Sequence, residues 1–436
     1  MSELQDQEAA EPPAADAMAA RLDEILEEFA AAVTDTTAVP DASRIDRIAR
    51  LEKLRTATAA LQAAESVKFA QSQVQEQTAA DVHPEKIGRG IAQQIGLACR
   101  VSPALAARRL STARAWWFEL PDTYSQLVAG ELHERLAEVV VSETRHLDAE
   151  KRRMVDEQLK AADLPRKGFK AATACIRKAA YEADRVGYVN RGRTARKDRR
   201  VGIRPAPDTM SILSGYLPAE QGIACYAALR KHADGVLATG DGRTRDQIMA
   251  DTMVARLTGQ TNAADVNVEV QIMMPLEALL DPRSNKPATI PGYGPLPADI
   301  CRDIVITSKG RKWWRRLFTA PSTTNGKTGT IVGGEVRRRR FTGWLADLIR
   351  LRDQETCRSP FCGAPIRHID HSTRYADDGP TSYSNGRGTC ERCNYTREMS
   401  GWHITVIDAG LLNKPHTIMI TTPTGHHYLS RAPDPP

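Results

Sequence analysis

The sequence runs to 436 residues, 41% of them apolar, with a net charge of +6. That length suggests two to three domains with real cores, and so small a charge is shared by many globular proteins, so its distribution along the chain matters more than its sum. No run of eighteen apolar residues predicts a membrane span, and the start lacks a basic-then-apolar signal pattern. The expectation is a cytoplasmic protein without a membrane partner, in which clustered cysteines mean metal rather than disulfides.

Residues 1–17, rich in Ala, Glu, Gln and Pro, predict a disordered tail. A short helix is expected from Met18 to about Val33. Ser43 to Asp46 resembles a capping box, and Ile45, Ile48, Leu51, Leu54 and Leu61 then predict a long amphipathic helix to about Gln75. Ile87, Ile91 and Ile95 are four apart. Ser102-Pro103 is an N-cap with a first-turn proline, opening a helix through Leu105, Leu110 and Trp117. Further helices are expected at 122–129, 133–144, 148–162 and 166–184. Residues 18–185 thus predict a helical domain with short loops. Within it, 87–114, with Arg108, Arg109 and Arg114, suits either a helix-turn-helix or two core helices with arginines on the wet face.

Residues 186–200 predict a basic linker, since 191–200 carries Arg191, Arg193, Arg196, Lys197, Arg199 and Arg200 against Asp198. Such a stretch can be solvated or can hold phosphates. Residues 201–336 predict an α+β middle region: strands at 201–204 and 210–217, helices at 218–236 and 243–258, and a strand where Val266, Val268, Val270 and Ile272 alternate with polar residues. The proline- and glycine-rich 285–300 predicts a loop. Trp313-Trp314 is either core or a stacking platform. Arg337, Arg338, Arg339 and Arg340 lead into a helix over 341–352, and form either a solvated helix start or a DNA-backbone contact.

The most informative stretch is 357–402. Cys357 and Cys362 have four residues between them, and Cys390 and Cys393 have two. Each pair can close on one ion from a tight turn, and four thiolates make a closed tetrahedral site that suits structural zinc. Cys99, Cys175, Cys225 and Cys301 are scattered and predict ordinary core thiols. Between the two pairs lies Asp370-His371, and Asn394 follows the last cysteine. A carboxylate and an amide oxygen suit Mg2+ or Mn2+, and a neutral imidazole beside them can take a proton from water. His368 is set aside as a ligand, on the expectation that it points away from Asp370. After Trp402, strands are expected at 403–407 and 416–422, with a turn at 423–425.

Asp370-His371, then Gly379-Pro380-Thr381-Ser382, then Asn385, then Cys390-x-x-Cys393-Asn394, resembles the HNH (His-Asn-His) endonuclease motif. The resemblance implies a ββα-metal finger with His371 as general base. Asp370 would be a divalent-metal ligand, Asn385 a brace for the loop holding the base, and Asn394 the second protein ligand. Arg374 stands where proline is frequent in that family, and Asp378 where a second glycine is usual.

Nearly the full chain also resembles a group of actinobacterial proteins, abundant in mycobacteria, with a helical N-terminal domain of unknown function and a C-terminal HNH domain. Ser102 to Arg114, Leu217 to Gly222, Asp265 to Val270, Ile290 to Gly294 and Arg337 to Phe341 carry that resemblance. The expected fold is multidomain α+β: a mainly helical N-terminal domain, a small α+β middle region, a zinc-stapled ββα-metal finger over 337–410 and a strand or tail over 411–436. The expected activity is metal-dependent cleavage of DNA, with structural Zn2+, catalytic Mg2+ or Mn2+, and Arg337 to Arg340 and Arg397 on the DNA backbone. A zinc-containing DNA-binding protein with a degenerate finger is the alternative. The sequence leaves the oligomeric state open.

Overall fold

The computed structural model describes residues 16–35, 38–259, 274–281, 283–290, 293–307, 339–410 and 414–433. The expected strand over 266–272, Trp313-Trp314, Arg337 and Arg338 lie outside them altogether. The fold class is α+β, with a mainly helical N-terminal region and small sheets. Among the described residues, no helix is long and apolar enough to cross a membrane.

The chain divides into two compact units, Met1–Arg55 and Thr56–Pro436. The first holds α1 (Ala17–Thr34) and the start of α2 (Asp41–Ala79). Asp16 caps α1, accepting from the Met18 and Ala19 N–H groups. Helix α2 begins before Ser43, so the expected capping box at 43–46 lies inside the helix.

In the second unit α2 runs on into a bundle with α3 (Ile91–Ala98), α4 (Pro103–Glu119), α5 (Pro121–Val128), α6 (Glu134–Thr144), α7 (Ala149–Ala161) and α8 (Phe169–Ala183). The apolar stripes of α2 and α4 to α8 meet in one core containing Val67, Trp116, Leu120, Leu127, Val140, Val155 and Ile176, while Ile91 of α3 packs with Ala70 and Leu110. Trp116 donates from Nε1 to the Ala137 carbonyl, while Trp117 sits at the rim. Helix α5 starts at a proline and lacks a cap of its own. The buried Asp156 of α7 replaces it, accepting from the Asp122 and Thr123 N–H groups at 2.7 and 3.1 Å.

The expected basic linker is a helix, α9 (Arg185–Ala195), followed by a 3-10 turn. Asp184 caps it through the Gly187 N–H at 2.8 Å. Arg191, counted as linker charge, donates to the Ser142 and Glu143 carbonyls at 2.8 and 3.0 Å. An arginine placed to finish another helix's carbonyls turns linker into structure.

A hairpin of β1 (Arg200–Pro205) and β2 (Ser211–Tyr216) leads to α10 (Ala219–Leu237) and α11 (Arg245–Thr258), which bury Ala233, Ile248 and Met249 between them. Cys225, expected in a core, is exposed on α10. After α12 (Leu276–Leu280), the expected loop over 285–300 contains a short hairpin, β3 (Ala288–Ile290) with β4 (Gly294–Leu296), and the start of α13 (Ala298–Thr307). Helix α14 (Gly343–Arg352) then delivers the chain to the cysteines.

The C-terminal part comprises an antiparallel pair, β5 (His368–His371) with β6 (Gly386–Thr389), then α15 (Glu391–Thr396). A three-stranded antiparallel sheet follows, β7 (His403–Asp408), β8 (Thr417–Thr421) and β9 (His427–Arg431), with β8 central. The expected boundary at 410 cuts this sheet between its first two strands, although β7 and β8 form one hydrogen-bonded ladder.

Helix α3 and its turn into α4 dock on this region. Leu97 packs with Met399, Trp402, Ile418 and Ile420. Gly90, at a φ of +88°, lets Trp402 approach so closely that a Cβ would lie 3.0 Å from its indole nitrogen. Gln93 donates to Thr396 at 2.6 Å, Thr424 to Gln94 at 2.9 Å, and Arg392 to the Pro103 carbonyl at 3.0 Å. The turn of the possible helix-turn-helix is therefore covered by protein, which favours the core-helix reading of 87–114. Arg108, Arg109 and Arg114 remain on the exposed face of α4.

Candidate metal centre and ββα site

Cys357 and Cys362 sit on a knuckle between α14 and β5. The Cys357 N–H donates to the Ala364 carbonyl at 2.8 Å, and Phe361 and Gly363 both take φ of +62° to close the turn. Cys390 is the N-cap of α15, its sulfur facing the Cys393 N–H at 3.5 Å. All four thiols are buried and their sulfurs lie within 4.8 Å of one another. Cys362 is 3.7 Å from both Cys390 and Cys393. A tetrahedral ion with metal–sulfur bonds of about 2.3 Å requires sulfur–sulfur edges of about 3.8 Å. The donor set and its spacing thus fit one ion such as zinc, with no position left open for chemistry.

Beside this knuckle lies a buried charge network that the sequence did not reveal. Asp353, fully buried, accepts from Arg352 Nε and Nη2 at 2.8 and 3.0 Å. It also accepts from Arg358 Nη1 at 3.0 Å and the Gly388 N–H at 2.7 Å. Burial alone pushes its carboxyl up; Arg352, Arg358 and the Gly388 N–H outweigh that and hold it below the usual carboxylate range. Arg352 also donates to the Tyr383 and Gly386 carbonyls, both at 2.7 Å. Arg358 reaches the His416 and Ser430 carbonyls at 3.1 and 2.8 Å. His416 donates from Nε2 to the Ser384 carbonyl at 2.7 Å. Burial, with the Arg352 and Arg358 charges, lowers its imidazole to about 3. One carboxylate thus ties α14, the knuckle, β6 and the C-terminal sheet together.

Asp370 and His371 end β5. Asp370 Oδ2 accepts from Arg387 Nη2 at 3.0 Å and Arg397 Nη1 at 2.7 Å, while Oδ1 accepts from the His371 N–H at 2.9 Å. Arg397, expected on DNA, is 5% exposed and also donates to the Ser372 carbonyl at 2.9 Å. Its guanidinium is committed inside the fold rather than offered to solvent. Asn394, on α15 one turn before Arg397, receives the Thr389 hydroxyl at 3.4 Å. Asp370 Oδ2 is thus taken by two guanidiniums, while Oδ1 keeps a lone pair besides the one facing the His371 N–H.

The His371 ring is held from three sides. Phe341 lies 4.5 Å and Tyr375 5.7 Å from it between ring centroids, and Nε2 is 2.9 Å from Thr381 Oγ1. The Thr381 hydroxyl also lies 3.4 Å from the Arg339 carbonyl, and the ring tautomer sets which of Nε2 and Oγ1 donates to the other. Burial lowers the imidazole's pKa, partly opposed by Asp370 and reinforced by Arg397 and Arg339, which keeps it neutral at neutral pH. The contacts of Arg339 and Phe341 bring the end of the arginine run beside this ring, with Arg339 and Arg340 exposed. His368 is exposed on the same face of β5 as Asp370. Residues two apart on a strand point the same way, so the expectation that the two diverge does not hold.

Asn385 closes the loop 372–385. Its Nδ2 donates to the Thr373 and Pro380 carbonyls at 3.0 and 2.8 Å, and its Oδ1 accepts from the Thr373 N–H at 2.8 Å. Asp378 takes a φ of +60° in this loop, a conformation that glycine adopts without strain. Arg374 donates to the Arg397 carbonyl at 3.1 Å.

A family model described as a domain of unknown function, DUF222, matches residues 48–304, more than half the chain. The chain belongs to the DUF222 family. The DUF222 region takes in most of α2, the bundle and the middle region as far as α13, and it ends before the four clustered cysteines. No curated protein and no solved structure matches the chain.

Proposed function

We propose that the C-terminal ββα unit is a metal-dependent HNH endonuclease that hydrolyses DNA phosphodiester bonds. The observation that carries this reading is His371: a buried imidazole at the end of β5, beside Asp370, with Nε2 2.9 Å from Thr381 Oγ1. DUF222 domains are commonly found alongside HNH domains, which supports the same reading. In this proposal His371 Nδ1 takes the proton of the attacking water. Asn385 keeps the loop between Thr373 and Pro380 in the shape that holds the imidazole. Asp370 Oδ1 and Asn394 would hold Mg2+ or Mn2+, which supplies charge stabilisation for the phosphate and the leaving oxygen. Arg339 and Arg340 contact the DNA backbone beside the base. The cysteine-bound zinc shapes the finger and does no chemistry.

One observation favours a second reading, a zinc-containing DNA-binding protein with a degenerate finger. Asp370 Oδ2 is already paired with two arginines, a stable state for a carboxylate that never meets a divalent ion. Plasmid nicking by the zinc-loaded protein in Mg2+, Mn2+ or neither, with His371→Ala alongside, separates the two. The nuclease reading expects cleavage that needs added metal and is lost in the variant. A folded, zinc-loaded wild type that binds DNA in a salt-dependent way and never nicks it supports the second reading.

A further inference from the structure

The N-terminal unit, Met1–Arg55, carries two apolar faces that its own residues leave open. Helix α1 buries none of its residues. Met18, Leu22, Ile25, Phe29 and Val33 follow one another at intervals of four, three, four and four, a single stripe along one side. Phe29 is 43% exposed and Leu22 41%. On the start of α2, Ile45, Ile48 and Leu51 are 65%, 61% and 51% exposed. Most helical stability in proteins comes from covering an apolar face rather than from intrinsic propensity.

The charges beside the two stripes are opposite in sign. Helix α1 carries Asp23, Glu24, Glu27 and Glu28 against Arg21 alone. From Arg44 to Arg55, α2 carries four arginines and Lys53 against Asp46 and Glu52. Flanking charges of this kind select partner and orientation where helices meet through an apolar seam.

We propose that this unit is a homodimerisation module, in which the acidic α1 of one copy lies on the basic start of α2 of a second copy. Two-fold symmetry makes the acid-on-base pairing twice, so one self-complementary surface covers all four apolar faces. A fold-back of α1 onto its own α2 uses the same chemistry and is the alternative the test must separate.

The test is sedimentation equilibrium on the full chain and two charge-swapped forms, Glu24→Lys with Glu28→Lys, and Arg47→Glu with Arg50→Glu. These positions are exposed, and equal far-ultraviolet dichroism and zinc content establish that each form is folded. The wild type is expected at twice the mass of one chain, each swapped form alone at the mass of one chain, and their equimolar mixture again at twice. A fold-back within one chain leaves the wild type at the mass of one chain. The proposal is overturned by a wild type that stays at single-chain mass, by a dimer indifferent to both swaps, or by a mixture that fails to re-form it.

Discussion

Replacing Asp353 by asparagine tests the charge network with little change in volume. Asp353 holds Arg352 and Arg358, which are 7% and 3% exposed, and the Gly388 N–H. The amide keeps one oxygen acceptor but turns an NH2 group toward two guanidiniums, leaving two buried cations without a counter-ion. Breaking a buried pair in this way costs about 3–5 kcal/mol, against a total domain stability of about 5–15 kcal/mol. In a chain of several units a single global unfolding free energy is not well defined, so the readout should be local. Cys357 precedes Arg358, and the Arg358 N–H donates to the Gly388 carbonyl at 2.8 Å, so opening of the network frees the metal knuckle. At about 1.4 kcal/mol per tenfold, the expected cost accelerates zinc loss to a chromogenic chelator by about a hundredfold to a few thousandfold. Asp377→Asn, at an exposed carboxylate in the loop after β5, is the control and should leave the release rate within a factor of about two, as surface changes usually cost under about 0.5 kcal/mol. Zinc release by Asp353→Asn at the wild-type rate would refute the view that this carboxylate anchors the finger.

Other substitutions probe separate parts of the same region. The folded state holds His416 near a pKa of about 3, below its unfolded value of about 6.5, so only the unfolded chain binds a proton between those limits. Its stabilising contribution is therefore complete above about pH 6.5 and falls as pH drops toward 3, by on the order of a few kcal/mol; the urea midpoint of the C-terminal sheet should show this slope in the wild type and lose much of it in His416→Gln. Asn385→Ala removes three hydrogen bonds that close the loop behind His371 and should cost about 1–3 kcal/mol locally. If the nuclease reading holds, nicking should drop at least about a hundredfold while zinc stays bound, a result that wild-type kinetics in the variant would contradict. Gly388→Ala places a Cβ on the Ile366 side chain and should destabilise the finger by about 1–3 kcal/mol, read as a lower urea midpoint. Arg339→Ala with Arg340→Ala should weaken DNA binding evenly across sequences and flatten its salt dependence by about one to two units of slope, which a filter-binding titration would measure.

The helices of the bundle were legible because apolar spacing near 3.6 residues and caps such as Ser102-Pro103 are local signals, and α4 begins at that proline. The metal knuckle was legible for a similar reason. Two short turns bring each cysteine pair together wherever the rest of the chain lies, and spacing alone located the four thiols that the fold buries as one cluster. The order of β5, β6 and α15 followed from the motif. The commitments of the charged residues were not legible. The chain has 60 lysines and arginines, and nothing local distinguishes Arg352, Arg358, Arg387 and Arg397, which are buried on carboxylates, from Arg339 and Arg340, which face water. An ion pair is chosen by which elements pack together. Arg397 meets Asp370 only because α15 lies across β5, and Arg358 reaches the Ser430 carbonyl across 72 positions of sequence. The covering of the α3–α4 turn has the same origin, since Leu97 and Trp402 share a core only once the bundle and the C-terminal sheet have met. Sequence by itself located most of the helices and the four clustered cysteines, whose causes lie within a few residues. Tertiary structure alone decided which charges are buried and what each one holds, because the energy of a buried charge depends on its partners in space.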